Sequence, residues 1–178
     1  HGIGRRQRQM CIRDSVIRMK KFAVSIIFVF FVLGSVFYFA PSLFFDEALR
    51  ADISLKPDDQ DLVDLGKVVY KNNCASCHGV NLEGQEQWRQ PDADGYMPAP
   101  PHDESGHTWH HPDEYLFLMT KYGLEEIIGQ EYPNNMPAYN NLLSDQEIVA
   151  ALSYIKSRGS IKVRLQHEKI NTMSKEQR

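Results

Sequence analysis

The chain has 178 residues, with 20 Lys/Arg against 23 Asp/Glu and 42% hydrophobic residues, a size and balance that fit one folded domain with appendages. The net charge of −3 hides a division: residues 46–155 carry twenty Asp/Glu and six Lys/Arg, whereas 1–21 and 156–178 carry seven Lys/Arg each. An acidic body repels nucleic acid and favours docking to basic surfaces, and the same charge also reads as a solvated surface that keeps the domain soluble.

Residues 1–18 are basic and aperiodic, and Met19 followed by Lys20 and Lys21 makes the sounder start. Residues 1–18 are therefore read as a non-native leader, and Cys11 is set aside with them. Phe22 to Phe45 contains no charged residue. That is longer than the roughly 20 residues needed to cross the hydrocarbon core. The two lysines before it place the amino end on the cytoplasmic side. A cleaved signal is the rival reading, but the run exceeds the usual apolar region, and Tyr38 and Pro41 spoil an exit at Ala40. Residues 19–45 are thus expected to form an uncleaved single-pass anchor in a bacterial inner membrane, with the remainder in the periplasm. Residues 46–57 read as a polar tether that holds the following domain close to the membrane.

The domain is expected over residues 58–159, and its elements read as helices. The first covers Asp58 to Asn73, with an acidic start and Leu62, Leu65, Val69 and Tyr70 on its apolar side. Gly66 lies in its middle at a cost of about 1 kcal/mol relative to Ala. Close approach of the last helix, with Tyr70 and Tyr154 near the crossing, supplies the reason.

The helix delivers Cys74-Ala75-Ser76-Cys77-His78, the Cys-x-x-Cys-His attachment signature of a c-type haem. Two thiols three positions apart reach the two vinyl groups of one haem, and the next histidine falls under the iron. A thioredoxin-like dithiol would want a βαβ context that is not visible, and a zinc site would want a second ligand pair. Covalent haem makes electron transfer the expected work, because the cofactor carries the redox chemistry and the protein tunes it.

Residues 79–111 form an eccentric insert containing Pro98, Pro100 and Pro101, followed by His102, His107, His110 and His111. Four histidines so close invite a second metal site for copper or zinc. The plainer reading is that they cap the second helix and wall the haem edge, with the Trp109 indole N–H on a propionate. The second helix runs from Pro112 to Tyr122, with Tyr115, Leu116, Leu118 and Met119 inward and Gly123 at its exit. The third starts at Ser144, with Glu147 completing a capping box, and carries Ile148, Leu152 and Ile155 to Gly159. Residues 160–178 read as a polar tail, disordered or reserved for a partner.

The chain resembles class I cytochromes c over residues 58–159. The resemblance is carried by the Gly66/Tyr70 helix, Cys74-Ala75-Ser76-Cys77-His78, and Asn135-Met136-Pro137-Ala138-Tyr139 followed by Leu143-Ser144-Asp145-Gln146-Glu147-Ile148. It implies the all-α cytochrome c fold around one haem, with Met136 as the sixth ligand opposite His78. The loop punctuated by Pro133 and Pro137 suits that role, and thioether ligation raises the potential relative to two histidines. Met97, also in a loop before proline, and the four insert histidines remain alternatives, whereas Met119 falls on a core stripe.

The expected protein is a membrane-tethered periplasmic electron carrier and not an enzyme. Its partners would be a quinol-oxidising complex, a dehydrogenase, a copper protein or a terminal oxidase. The haem subunit of an oxidoreductase, and a copper-binding module built on His102–His111, are the competing readings.

Overall fold

A computed structural model describes residues 53–177. The expected leader at 1–18, the expected anchor at 19–45 and most of the expected tether at 46–57 lie outside the described residues. No helix among the described residues is long and apolar enough to cross a membrane.

The described residues are helical, without strands beyond one isolated bridge between Met97 and Asn134. In chain order they form α1 (Gln60–Asn73), α2 (Ala75–His78), a 3-10 turn (Thr108–His110), α3 (Asp113–Tyr122), α4 (Leu124–Ile128), α5 (Asp145–Arg158) and α6 (Ile161–Glu176). The all-helical arrangement fits the expected fold class.

The three predicted helices appear within two residues of their expected ends, because their caps are local. Asp59 accepts from Leu62 N at 3.2 Å to start α1. At α5, Ser144 Oγ accepts from Glu147 N while Glu147 Oε2 accepts from Ser144 N at 2.8 Å, the reciprocal pair of a capping box.

Helices α1 and α5 form the principal helix pair. Gly66 is buried at their crossing, and a Cβ there would overlap the Ala150 carbonyl oxygen and lie 2.9 Å from Tyr154 Cβ. Tyr70 and Tyr154 flank the crossing with ring centroids 5.6 Å apart. The expected reason for the glycine is met. Leu65, expected inside, is 38% exposed, because the tight crossing turns the Gly66 face to the core instead.

The core gathers Tyr70 and Ala75 with Leu116, Phe117 and Leu118 of α3, Tyr139, and Ile148, Leu152 and Ile155 of α5. In α3, Phe117 is fully buried, while Tyr115 and Met119 are only half-buried.

The tail differs from expectation. Residues 161–176 are a helix capped by Ser160, whose side chain accepts from Val163 N. The buried residues of α6 are polar, His167 and Asn171, while Ile161 and Leu165 are exposed. Lys156 of α5, 1% exposed, binds Asp113 Oδ1 at 3.1 Å and Glu168 Oε1 at 2.6 Å. Asn171 Oδ1 accepts from Asp113 N at 2.8 Å, and His167 donates from Nε2 to His111 O at 2.8 Å. Polar groups thus seat α6, with each strong partner supplied by another element.

Candidate haem-binding site

The Cys74–His78 segment is wound tightly enough to fix its side chains. Cys74 N bonds Tyr70 O at 2.9 Å, His78 N bonds Cys74 O at 2.9 Å, and Gly79 N bonds Ala75 O at 3.0 Å. The Tyr70 hydroxyl donates to Gly79 O at 2.7 Å and returns the end of the segment to α1. Tyr139 donates to Asn73 O at 2.7 Å and ties the loop before α5 to the same place.

Cys74 is half-buried and Cys77 is exposed. Burial pushes the Cys74 thiol up to about 11, with the Tyr139 hydroxyl working the other way. Burial, and then Cys74 and Cys77, push Tyr139 up to about 12.

His78 is buried at the end of α2, and its Nδ1 lies 2.8 Å from Pro100 O. A carbonyl oxygen only accepts, so Nδ1 carries the proton and Nε2 keeps its lone pair. Burial holds the imidazole below its ordinary pKa against the opposing Pro100 bond. A neutral ring whose distal nitrogen is fixed by a backbone acceptor suits a metal ligand. The donor set, two thiols and one such imidazole on a single turn, therefore fits a covalently attached haem.

Pro100 had no signature as an acceptor in the sequence, although its proline cluster stood out. The cluster is held by Gly84, whose φ of +69° and whose lack of a Cβ both matter: a Cβ would lie 2.7 Å from Pro100 C and overlap Pro101 N. Gln85 N bonds Ala99 O at 2.9 Å, and His102 N bonds Leu82 O at 2.8 Å.

Met136 lies half-buried in the loop between α4 and α5, packed against the core cluster that also receives Cys74. Its N–H donates to Asn134 Oδ1 at 2.9 Å, and Asn134 Nδ2 donates to Tyr132 O at 2.7 Å. Met97 N bonds Pro133 O at 2.8 Å, so the second methionine lies beside the same loop.

Within the insert, His107 and His111 meet edge to face with ring centroids 5.5 Å apart. His102 stacks on His78, His107 stacks on Trp88 at 5.2 Å, and His111 stacks on Tyr115 at 5.0 Å. His110 Nδ1 lies 3.2 Å from His107 O. Among the described residues no group of three or more His, Cys, Asp or Glu is placed to hold a metal ion, His102, His107, His110 and His111 included. Trp109 is buried and donates its indole N–H to Asp103 O at 3.1 Å, which replaces the expected propionate contact.

The family model described as Cytochrome c matches residues 63–159, more than half of the chain. No curated protein and no solved structure matches.

Proposed function

The chain belongs to the cytochrome c family, as a class I c-type cytochrome binding covalent haem, and on that premise we propose that it is a membrane-tethered periplasmic electron carrier with His78 and Met136 as axial ligands. Haem c supplies a one-electron iron couple when bound. Cys74 and Cys77 would hold it through thioether bonds. His78 presents a neutral imidazole, because burial disfavours the proton and Pro100 O holds the other nitrogen. Met136 would supply a soft thioether, a ligand type that favours the reduced iron.

The observation that carries this reading is the union, on one turn, of Cys74 and Cys77 with a histidine whose Nδ1 proton is already committed. The acidic body supports weak, fast encounters with basic faces of redox partners, steered by charge and weakened by salt. Partners of that kind are a quinol-oxidising complex, a dehydrogenase, a copper protein or a terminal oxidase. The uncharged run from Phe22 to Phe45 supports a tether that keeps the haem domain near membrane-bound partners.

Voltammetry of the haem-loaded protein tests the reading. A single reversible one-electron couple, insensitive to carbon monoxide, is the expected result. An irreversible wave, or a couple displaced by carbon monoxide, would point to an open iron site and overturn the carrier assignment.

A further inference from the structure

We propose that His102 is a positioning residue for the axial imidazole: its ring, stacked on that of His78, fixes the rotation of the His78 plane. The inference rests on His78 being the proximal haem ligand.

The two rings have centroids 4.1 Å apart and planes inclined by 21°. The bond from Nδ1 to Pro100 O holds one edge of His78 but leaves the ring free to rock about that bond. A near-parallel ring at van der Waals distance removes this freedom, because tilting either plane brings atoms into overlap. Pro100 and His102 lie two residues apart, so one short segment supplies both the acceptor for the imidazole edge and the cover for its face.

His102 is itself fixed at two points. Its backbone N–H donates to Leu82 O at 2.8 Å, and its Nδ1 lies 2.8 Å from Thr108 Oγ1. Thr108 is buried and opens the 3-10 turn, where the neighbouring Trp109 is also buried and bonded to Asp103 O. A line of contacts therefore runs from a rigid turn through Thr108 and His102 to His78. An aliphatic side chain at 102 would fill the space, but it would offer neither a flat face nor a bond to Thr108. Supporting groups of this kind orient a ligand and tune its metal.

The test compares haem-loaded wild type with His102→Ala, His102→Phe and Thr108→Val. The readouts are the hyperfine-shifted haem methyl resonances and the EPR g values of the ferric protein, both sensitive to the orientation of the axial ring. His102→Ala should change the spread of the methyl shifts and broaden the low-spin EPR signal while the haem stays attached and low-spin. His102→Phe, which keeps a flat ring but loses the bond to Thr108, and Thr108→Val, which loses that bond alone, should both lie between wild type and His102→Ala. Wild-type resonances in His102→Ala, or a His102→Phe pattern no nearer to wild type than that of His102→Ala, would overturn the proposal. If His102→Ala does not fold, Thr108→Val decides, and unchanged resonances there overturn it as well. A ferric spectrum that is the same in His78→Ala as in wild type would refute the ligand role of His78, which separates that failure from this one.

Discussion

His78 and Met136 are held in different ways. The histidine is locked by burial and by one backbone acceptor, whereas the methionine depends on a loop stapled at Asn134 and flanked by Met97. Replacing the thioether should therefore leave the haem attached but open the iron. Met136→Ala is expected to lose the Met–iron absorption band, lower the midpoint potential and gain carbon monoxide binding in the ferrous state. An unchanged spectrum would transfer the sixth ligand to Met97 or to a histidine. The Cys-x-x-Cys-His residues were legible in the sequence because covalent attachment dictates both residue type and spacing. Pro100 was not, because any residue has a carbonyl to offer and only the fold decides which one faces Nδ1. Trp109 misled for a related reason: its indole satisfies itself on a backbone oxygen six positions earlier. The stacking of His102 on His78 spans residues 24 apart, with no periodicity to announce it.

At the scale of helices, the α1–α5 crossing is the contact that a single methyl group should disturb most. Ala is the better helix former by about 1 kcal/mol, so propensity alone predicts that Gly66→Ala stabilises. The overlap with Ala150 O opposes this, and overpacking costs about 1–3 kcal/mol. Sterics should win, and chemical denaturation should show a lower midpoint for Gly66→Ala. A midpoint at or above wild type would mean that the helices do not approach so closely. The long helices α1, α3 and α5 were readable because cap residues and apolar spacing act within one turn. Helix α6 was not, since Ile161, Leu165 and Met173 face solvent and the residues it buries, His167 and Asn171, are polar. Its hold comes from Lys156, Asp113 and His111, distant in sequence, whose pairing no local pattern reveals.

Over the whole domain, this buried polar seam makes stability depend on pH. His167 is fully buried and donates from Nε2 to His111 O, while Lys156, Asp113 and Glu168 face it. Burial, and then the Lys156 charge, hold its pKa below the ordinary 6.5, against the opposing pull of Asp113. The folded state therefore binds fewer protons than the unfolded chain between the lowered value and 6.5. Its contribution is complete above pH 6.5 and is lost as the pH falls through the lowered folded value, at no more than about 1.4 kcal/mol per pH unit for one proton. Urea midpoints should be level from pH 8 to about 7 and fall below 6.5. His167→Gln, which keeps a donor for His111 O, should flatten that fall. A slope unchanged by the substitution would assign it to other groups, such as His111, whose pKa burial also lowers.

The central claim is the covalent bond between this chain and its pigment. Protein matured in a periplasm competent for haem attachment should be extracted with acidified acetone and assayed as its alkaline pyridine complex. One haem per chain is predicted to stay with the precipitated polypeptide, and replacing both Cys74 and Cys77 by Ser should release it into the acetone. Pigment that leaves the unaltered chain, or that remains after both thiols are removed, would contradict the account.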